Sequence, residues 1–164
     1  MSKASRAQSF KWIGLIAAAI LLLSAGVVIG WRVALSAYQR NVAFFTGGLA
    51  ASETHIQEMD TMRVYFEGPP ETALWALERL LLTYYRYHDL RGEHPGLMSE
   101  TFNMTRGMTH ARIANVHASI GQTRQYEDHL AHALNLTGHK SEAELFRILE
   151  LHDRAWRSKL NQSR

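Results

Sequence analysis

The sequence predicts an all-α protein, with one N-terminal transmembrane helix followed by a small helical bundle. Eighteen residues from Ile13 to Gly30, IGLIAAAILLLSAGVVIG, hold no charged side chain and lie between Trp12 and Trp31. Beyond them, apolar residues recur every three or four positions, and glycines and prolines divide the chain into short segments. At about 1.5 Å per residue the apolar stretch spans roughly 27 Å as a helix, close to the ~30 Å hydrocarbon core, and the two indoles fall at headgroup level.

These features divide the chain into a basic tail (1–12), a transmembrane signal anchor (13–35), a juxtamembrane connector (36–68), a helical domain (69–160) and a frayed tail (161–164). Lys3, Arg6 and Lys11 precede the span, and Arg32 and Arg40 follow it. The positive-inside rule therefore places the N-terminus in the cytoplasm and the C-terminal domain in the periplasm or outside the cell, with the anchor in the cell (inner) membrane. A cleaved signal peptide is the competing reading, because Ile13–Leu23 has the length of an h-region and Ser24-Ala25-Gly26 the small residues of a cleavage site. Val27, Val28 and Ile29 extend the apolar run beyond that site and favour an anchor.

The first 40 residues carry five basic side chains and no acid, whereas the rest of the chain is near neutral, its arginines interleaved with glutamates. The high pI thus belongs to the membrane flanks, and nucleic acid is excluded as an expected partner. The chain has no cysteine. Disulfides, thiolate metal sites and cysteine nucleophiles are excluded with it, and the domain must fold on its core alone.

Within the anchor, Gly26 and Gly30 form a GxxxG pair that Ala34 extends by a turn. Small residues on one face let two helices approach closely in lipid, so the expected partners are the bilayer and either another membrane protein or a second copy of the chain. After Arg40 the helix continues through Phe44 and Phe45 until Gly47-Gly48, read as a hinge. Ser52 caps a short helix carrying Ile56, Met59, Arg63 and Phe66, with a brief strand at Met62–Phe66 as the alternative. Gly68-Pro69-Pro70 ends this segment.

A helix from Glu71 to about Leu90 follows, apolar nearly all round (Leu74, Trp75, Leu77, Leu80, Leu81, Leu82, Tyr84, Tyr87) and expected to be central. Arg91–Gly96 reads as a loop. Ser99 caps a helix running through Ile113 and Val116 towards Gly121. A third spans Gln125–Leu136 with Leu130, Ala133 and Leu134 inward and Gly138 at its end. Ser141 and Glu144 form a capping box that opens a fourth, with Leu145, Ile148, Leu149, His152 and Trp156 on one side and a polar, frayed end from Ser158. Four antiparallel helices with short loops is the economical arrangement.

The stretch ARIANVHASIGQTRQYEDHLAHALNL, residues 111–136, resembles the body of a tetratricopeptide repeat, with Ala114 as the small residue of the first helix, Gly121 in the turn and Ala133-Leu134 closing the second. With its flanks the likeness covers residues 107–140. It implies a TPR-like antiparallel hairpin and protein binding through a helical surface.

All nine histidines lie beyond the anchor. His129 and His132 share a helix face, with Asp128 one turn before His132, a set that could offer two imidazoles and a carboxylate to a divalent metal. His110 and His117 stand two turns apart on the preceding helix, too far apart to share an ion unless the bundle adds ligands. The histidines also admit an acid response, since their ordinary pKa lies near ~6.5.

No nucleophile elbow, P-loop, dinucleotide fingerprint or HExxH motif is present, and Glu53, Glu58 and Asp60 beside His55 read as a solvated face, so an enzyme is not expected. The N-x-S/T triplets at Asn103, Asn135 and Asn161 bear only on a eukaryotic secretory setting. The expected function is that of a single-pass, membrane-anchored interaction protein, an accessory, assembly or scaffolding subunit without a cofactor, docking through Tyr84, Tyr85 and Tyr87. The alternative is a histidine-based metal- or cofactor-binding domain.

Overall fold

The computed structural model describes residues 3–88 and 99–162, with side chains from 20 to 88 and from 101 to 162. The described residues form five helices and no strand: α1 (Lys3–Glu67), α2 (Pro70–Arg86), α3 (Ser99–Ser119), α4 (Thr123–Thr137) and α5 (Glu142–Gln162). The chain divides into two units, Met1–Ala43 and Phe44–Arg164.

The first unit is the N-terminal part of α1. Leu21, Leu22, Leu23, Val27, Ile29 and Trp31 are all exposed, and the helix is long and apolar enough to cross a membrane. Around the Cβ positions of Gly26 and Gly30 there is open space.

In the second unit, the end of α1 belongs to the core rather than to a connector. Ala50 and Met62 are buried with Leu77, Leu80, Leu81 and Tyr84 of α2, Phe102, Ile113 and Val116 of α3, and Leu160 of α5; Met59 and Phe66 pack against them. The expected hinge at Gly47-Gly48 is absent, because α1 runs through the pair unbroken. Two interior glycines cost a helix about 1 kcal/mol each relative to alanine. Gly47 is itself buried and Ala50 lies one turn on, so tertiary packing offsets that cost. The strand alternative at Met62–Phe66 fails for the same reason, since these residues are helical, with Met62 in the core and Tyr65 and Phe66 packed against it.

Proline sets the next boundary. Pro70 occupies the first turn of α2, where its missing N–H would have had no helical partner, and Glu71 complements the helix dipole. Described helix ends at Arg86, with the Tyr87 N–H donating to the Thr83 carbonyl; Leu90, the Arg91–Gly96 loop and His94 lie outside the described residues.

The helix expected to be central is not. Trp75, Leu82 and Tyr85 of α2 face solvent, whereas in α3 every residue from Arg106 to Ala114 is buried. Composition misleads here, because α3 is poor in large apolar residues and packs against α2, α4 and α5 through a few of them, Phe102, Met108, Ile113 and Val116, interleaved with small and polar ones.

Turns Gly121 (φ +75°) and Gly138 (φ +72°) both take the left-handed conformation that closes a helix, and the Gly138 N–H donates to the Leu134 carbonyl at 2.9 Å. The expected cap forms with its reciprocal bond displaced by one residue: Ser141 Oγ accepts the Glu144 N–H at 3.3 Å, and the Glu144 carboxylate reaches back to the Lys140 N–H at 3.2 Å. The C-terminal end is not frayed from Ser158, since α5 continues to Gln162 and its Leu160 is buried. His152, placed inward by the spacing, is exposed.

α3 and α4 run antiparallel in close contact. A Cβ on Gly107 would collide with Thr137 Cγ2 and come within 3.3 Å of the Ala133 carbonyl oxygen. In an open helix interior, Gly→Ala gains about 1 kcal/mol. Here the sign reverses: Gly107→Ala should lower the stability of the full-length protein in mild detergent by about 1–3 kcal/mol in a denaturant titration. A neutral or stabilising result would show that the hairpin does not need this approach.

Candidate functional site

The polar side chains that α3 carries inward meet partners on each neighbouring helix. Arg112, 3% exposed, pairs with Asp153 of α5, 14% exposed, through Nη2 at 2.7 Å and Nε at 2.9 Å. A pair held this far from water is costly to break on one side only, since the remaining charge stays buried.

Where α1 meets α2, Tyr84 donates to Glu58, Tyr87 to Glu53 and Thr83 to Gln57, and the Thr61 hydroxyl donates to the Ala76 carbonyl at 3.5 Å. Burial raises the Glu58 carboxyl above its ordinary range, against the Tyr84 hydrogen bond and the positive charges of His55 and Arg112. Burial and the neighbouring Glu58 likewise push the Tyr84 hydroxyl well up. The acidic cluster read as a solvated face is therefore mixed: Glu58 receives a hydrogen bond from α2, Glu53 receives one from Tyr87 while its side chain stays 42% exposed, and Asp60 faces water.

The tyrosines separate by role. Tyr84 is a core residue, edge-on to Phe102 at 5.5 Å between centroids, and Tyr87 is committed to Glu53. Tyr85 alone is exposed, with the Arg106 guanidinium 4.6 Å from its ring centre. On the same side of α2, Trp75 carries Arg79 at 5.4 Å. Trp75 and Leu82 are two turns apart, and the sequence does not set them apart from the core-facing residues because the whole helix reads as apolar.

Four histidines converge between α3 and α4. His110 Nδ1 lies 2.9 Å from His129 Nδ1, and the His110 ring is stacked on His132 with centroids 5.1 Å apart. His117 lies 5.5 Å from His129, centre to centre, and its Nδ1 meets Gln122 Oε1 at 2.6 Å. His110 is 4% exposed, and its Nε2 has no hydrogen-bond partner. The antiparallel hairpin thus brings together two pairs that looked separate along the chain.

Burial, reinforced by His129, His132 and Arg106, lowers His110 from 6.5 to about 4. His129 is lowered too, by burial and by His117 and His132, against the pull of Asp128. Among the described residues no group of three or more His, Cys, Asp or Glu is arranged to hold a metal ion. The expected set of His129, His132 and Asp128 is replaced by a hydrogen-bonded and stacked imidazole seam, because the rings of α4 turn to those of α3.

No protein-family model matches the sequence, and neither a curated protein nor a solved structure is significantly similar to it.

Tyr84→Phe should destabilise the full-length protein by about 1–3 kcal/mol in a denaturant titration, because it leaves the Glu58 carboxylate buried without its donor. Glu58→Gln retains an acceptor for the Tyr84 hydroxyl and removes the charge. With a raised carboxyl pKa the folded state holds its proton above 4.5, where the unfolded state releases it, so this group disfavours folding progressively as pH rises through that range. The Gln variant should lose that slope and match or exceed the parent near neutral pH.

Proposed function

We propose that this chain is a single-pass, membrane-anchored interaction protein, an accessory or assembly subunit whose helical unit, Phe44–Arg164, docks on another protein. The supporting observation is the outer side of α2, where Trp75, Leu82 and Tyr85 are 59%, 66% and 49% exposed. Large apolar and aromatic side chains grouped on a water-facing surface mark an interface, and rings already held under Arg79 and Arg106 lose little freedom on binding. The likeness of residues 107–140 to a tetratricopeptide hairpin agrees with protein binding. In the anchor, the open space at Gly26 and Gly30, extended by Ala34, suits close approach by another transmembrane helix.

Cross-linking in intact membranes followed by mild detergent extraction and mass spectrometry should recover a defined membrane protein with this chain. Trp75→Glu with Leu82→Glu should abolish that recovery and leave the melting temperature unchanged. Recovery of self-cross-linked dimers alone, or capture indifferent to the double substitution, would overturn the reading.

Topology is tested separately. Because the chain has no cysteine, single Ser9→Cys and Ser158→Cys variants can be probed with an impermeant maleimide. With the N-terminus in the cytoplasm, only the cysteine at 158 reacts in intact cells; the opposite pattern would invert the orientation.

A further inference from the structure

We propose that the imidazole seam between α3 and α4 is an acid-sensitive latch, closed while the hydrogen-bonded pair His110 and His129 is neutral and released as that pair takes up a proton. The geometry carries this independently of what the protein docks on. Two Nδ1 atoms 2.9 Å apart form a hydrogen bond only if one bears a proton and the other a lone pair. A further proton on that lone pair sets two donors face to face and breaks the bond. Because His110 Nε2 is buried and without an acceptor, neutral His110 keeps its proton on Nδ1 and donates to His129, so the other free lone pair of the pair is His110 Nε2 itself, where a new N–H and its charge would go unmatched.

Among the described residues, nothing around the seam is placed to absorb added positive charge except one exposed acid. From α3, Arg106 and His117 flank His110; from α4 come His129, His132 and Asp128. Beyond α2, His88 Nδ1 lies 3.3 Å from Arg106, whose guanidinium rests on Tyr85 and Phe102; among the described residues no carboxylate pairs with it. α5 meets the base of the hairpin through Leu145 and Leu149, and its Asp153 is committed to Arg112. From α1, the buried carboxylate of Glu58 is taken by Tyr84. Among the described residues, only Asp128 opposes the accumulating charge.

The direction follows from linkage. His110 and His129 hold protons less readily when folded than when open, so their contribution to the closed hairpin is complete above about 6.5 and is lost as pH falls from there towards 4. For His110 alone, the change from 6.5 to about 4 corresponds to a roughly twentyfold shift toward the open form between about pH 7 and about pH 5.

Hydrogen exchange on the full-length protein in detergent, corrected for intrinsic rates, reads this directly. Protection in α4 should fall roughly twentyfold or more between about pH 7 and about pH 5 while the amides of α2 and of α1 beyond Phe44 keep theirs. His110→Gln with His129→Gln, which can still hydrogen-bond but cannot titrate, should flatten the response. Unchanged α4 protection, a simultaneous loss throughout the second unit, or an equal response in the double variant would overturn the latch. Should that variant fail to fold, nitrogen-15 imidazole titration of the parent protein decides: His110 taking up its proton only as α4 loses protection supports the latch, and ordinary titration near 6.5 with the hairpin closed refutes it.

Discussion

The packing of the second unit depends on satisfying the polar groups buried on α3. From Arg106 to Ala114 no residue of this helix reaches solvent, yet Arg106, Thr109, His110 and Arg112 lie among them. A buried donor or charge without a partner costs more than an apolar contact returns, so each neighbouring helix must supply a suitable group. Asp153 of α5 answers Arg112, His129 of α4 answers His110, and Thr109 uses the Thr105 carbonyl of its own helix. Arg106 has instead the faces of Tyr85 and Phe102 and the ring of His88. These pairings select a particular arrangement of helices, where an all-leucine helix would tolerate several.

Different seams of the unit use different chemistry. Between α1 and α2, carboxylates of one helix accept from hydroxyls of the other, and because burial raises the Glu58 carboxyl, its titration does not weaken this seam as pH falls. Between α3 and α4, backbone closeness at Gly107 combines with imidazoles that titrate near neutrality when unperturbed. Sensitivity to acid is therefore concentrated in one seam of the unit, while the surface proposed for docking lies on the outer side of α2.

Much of the architecture was legible along the chain because it depends on local effects. Pro70 at a helix start, Gly121 and Gly138 at left-handed turns, and Ser141 with Glu144 as a cap act within a few residues, and each marks its boundary. The errors lie where long-range packing outweighs local preference. Gly47-Gly48 has the composition of a hinge, but burial of Gly47 and Ala50 keeps α1 helical. Leu160 belongs to a polar tail by composition and to the core by contact. Of the three tyrosines expected to dock a partner, only Tyr85 faces solvent, because hydroxyl acceptors on α1 draw Tyr84 and Tyr87 inward or sideways.

Local signals along the chain are enough to specify the helices of the described residues, the apolar segment able to cross a membrane, the positions of the principal turns and the lack of cysteine. Hydropathy, proline and glycine conformation, and composition are properties of single residues or short windows, which is why they can be read without coordinates. Only the tertiary structure decided that α3 rather than α2 is central, that Trp75 and Leu82 face outward, and that His110 and His117 meet His129 and His132. These depend on which helix faces which, and that choice is made by the pairing of buried polar groups across helices distant in sequence.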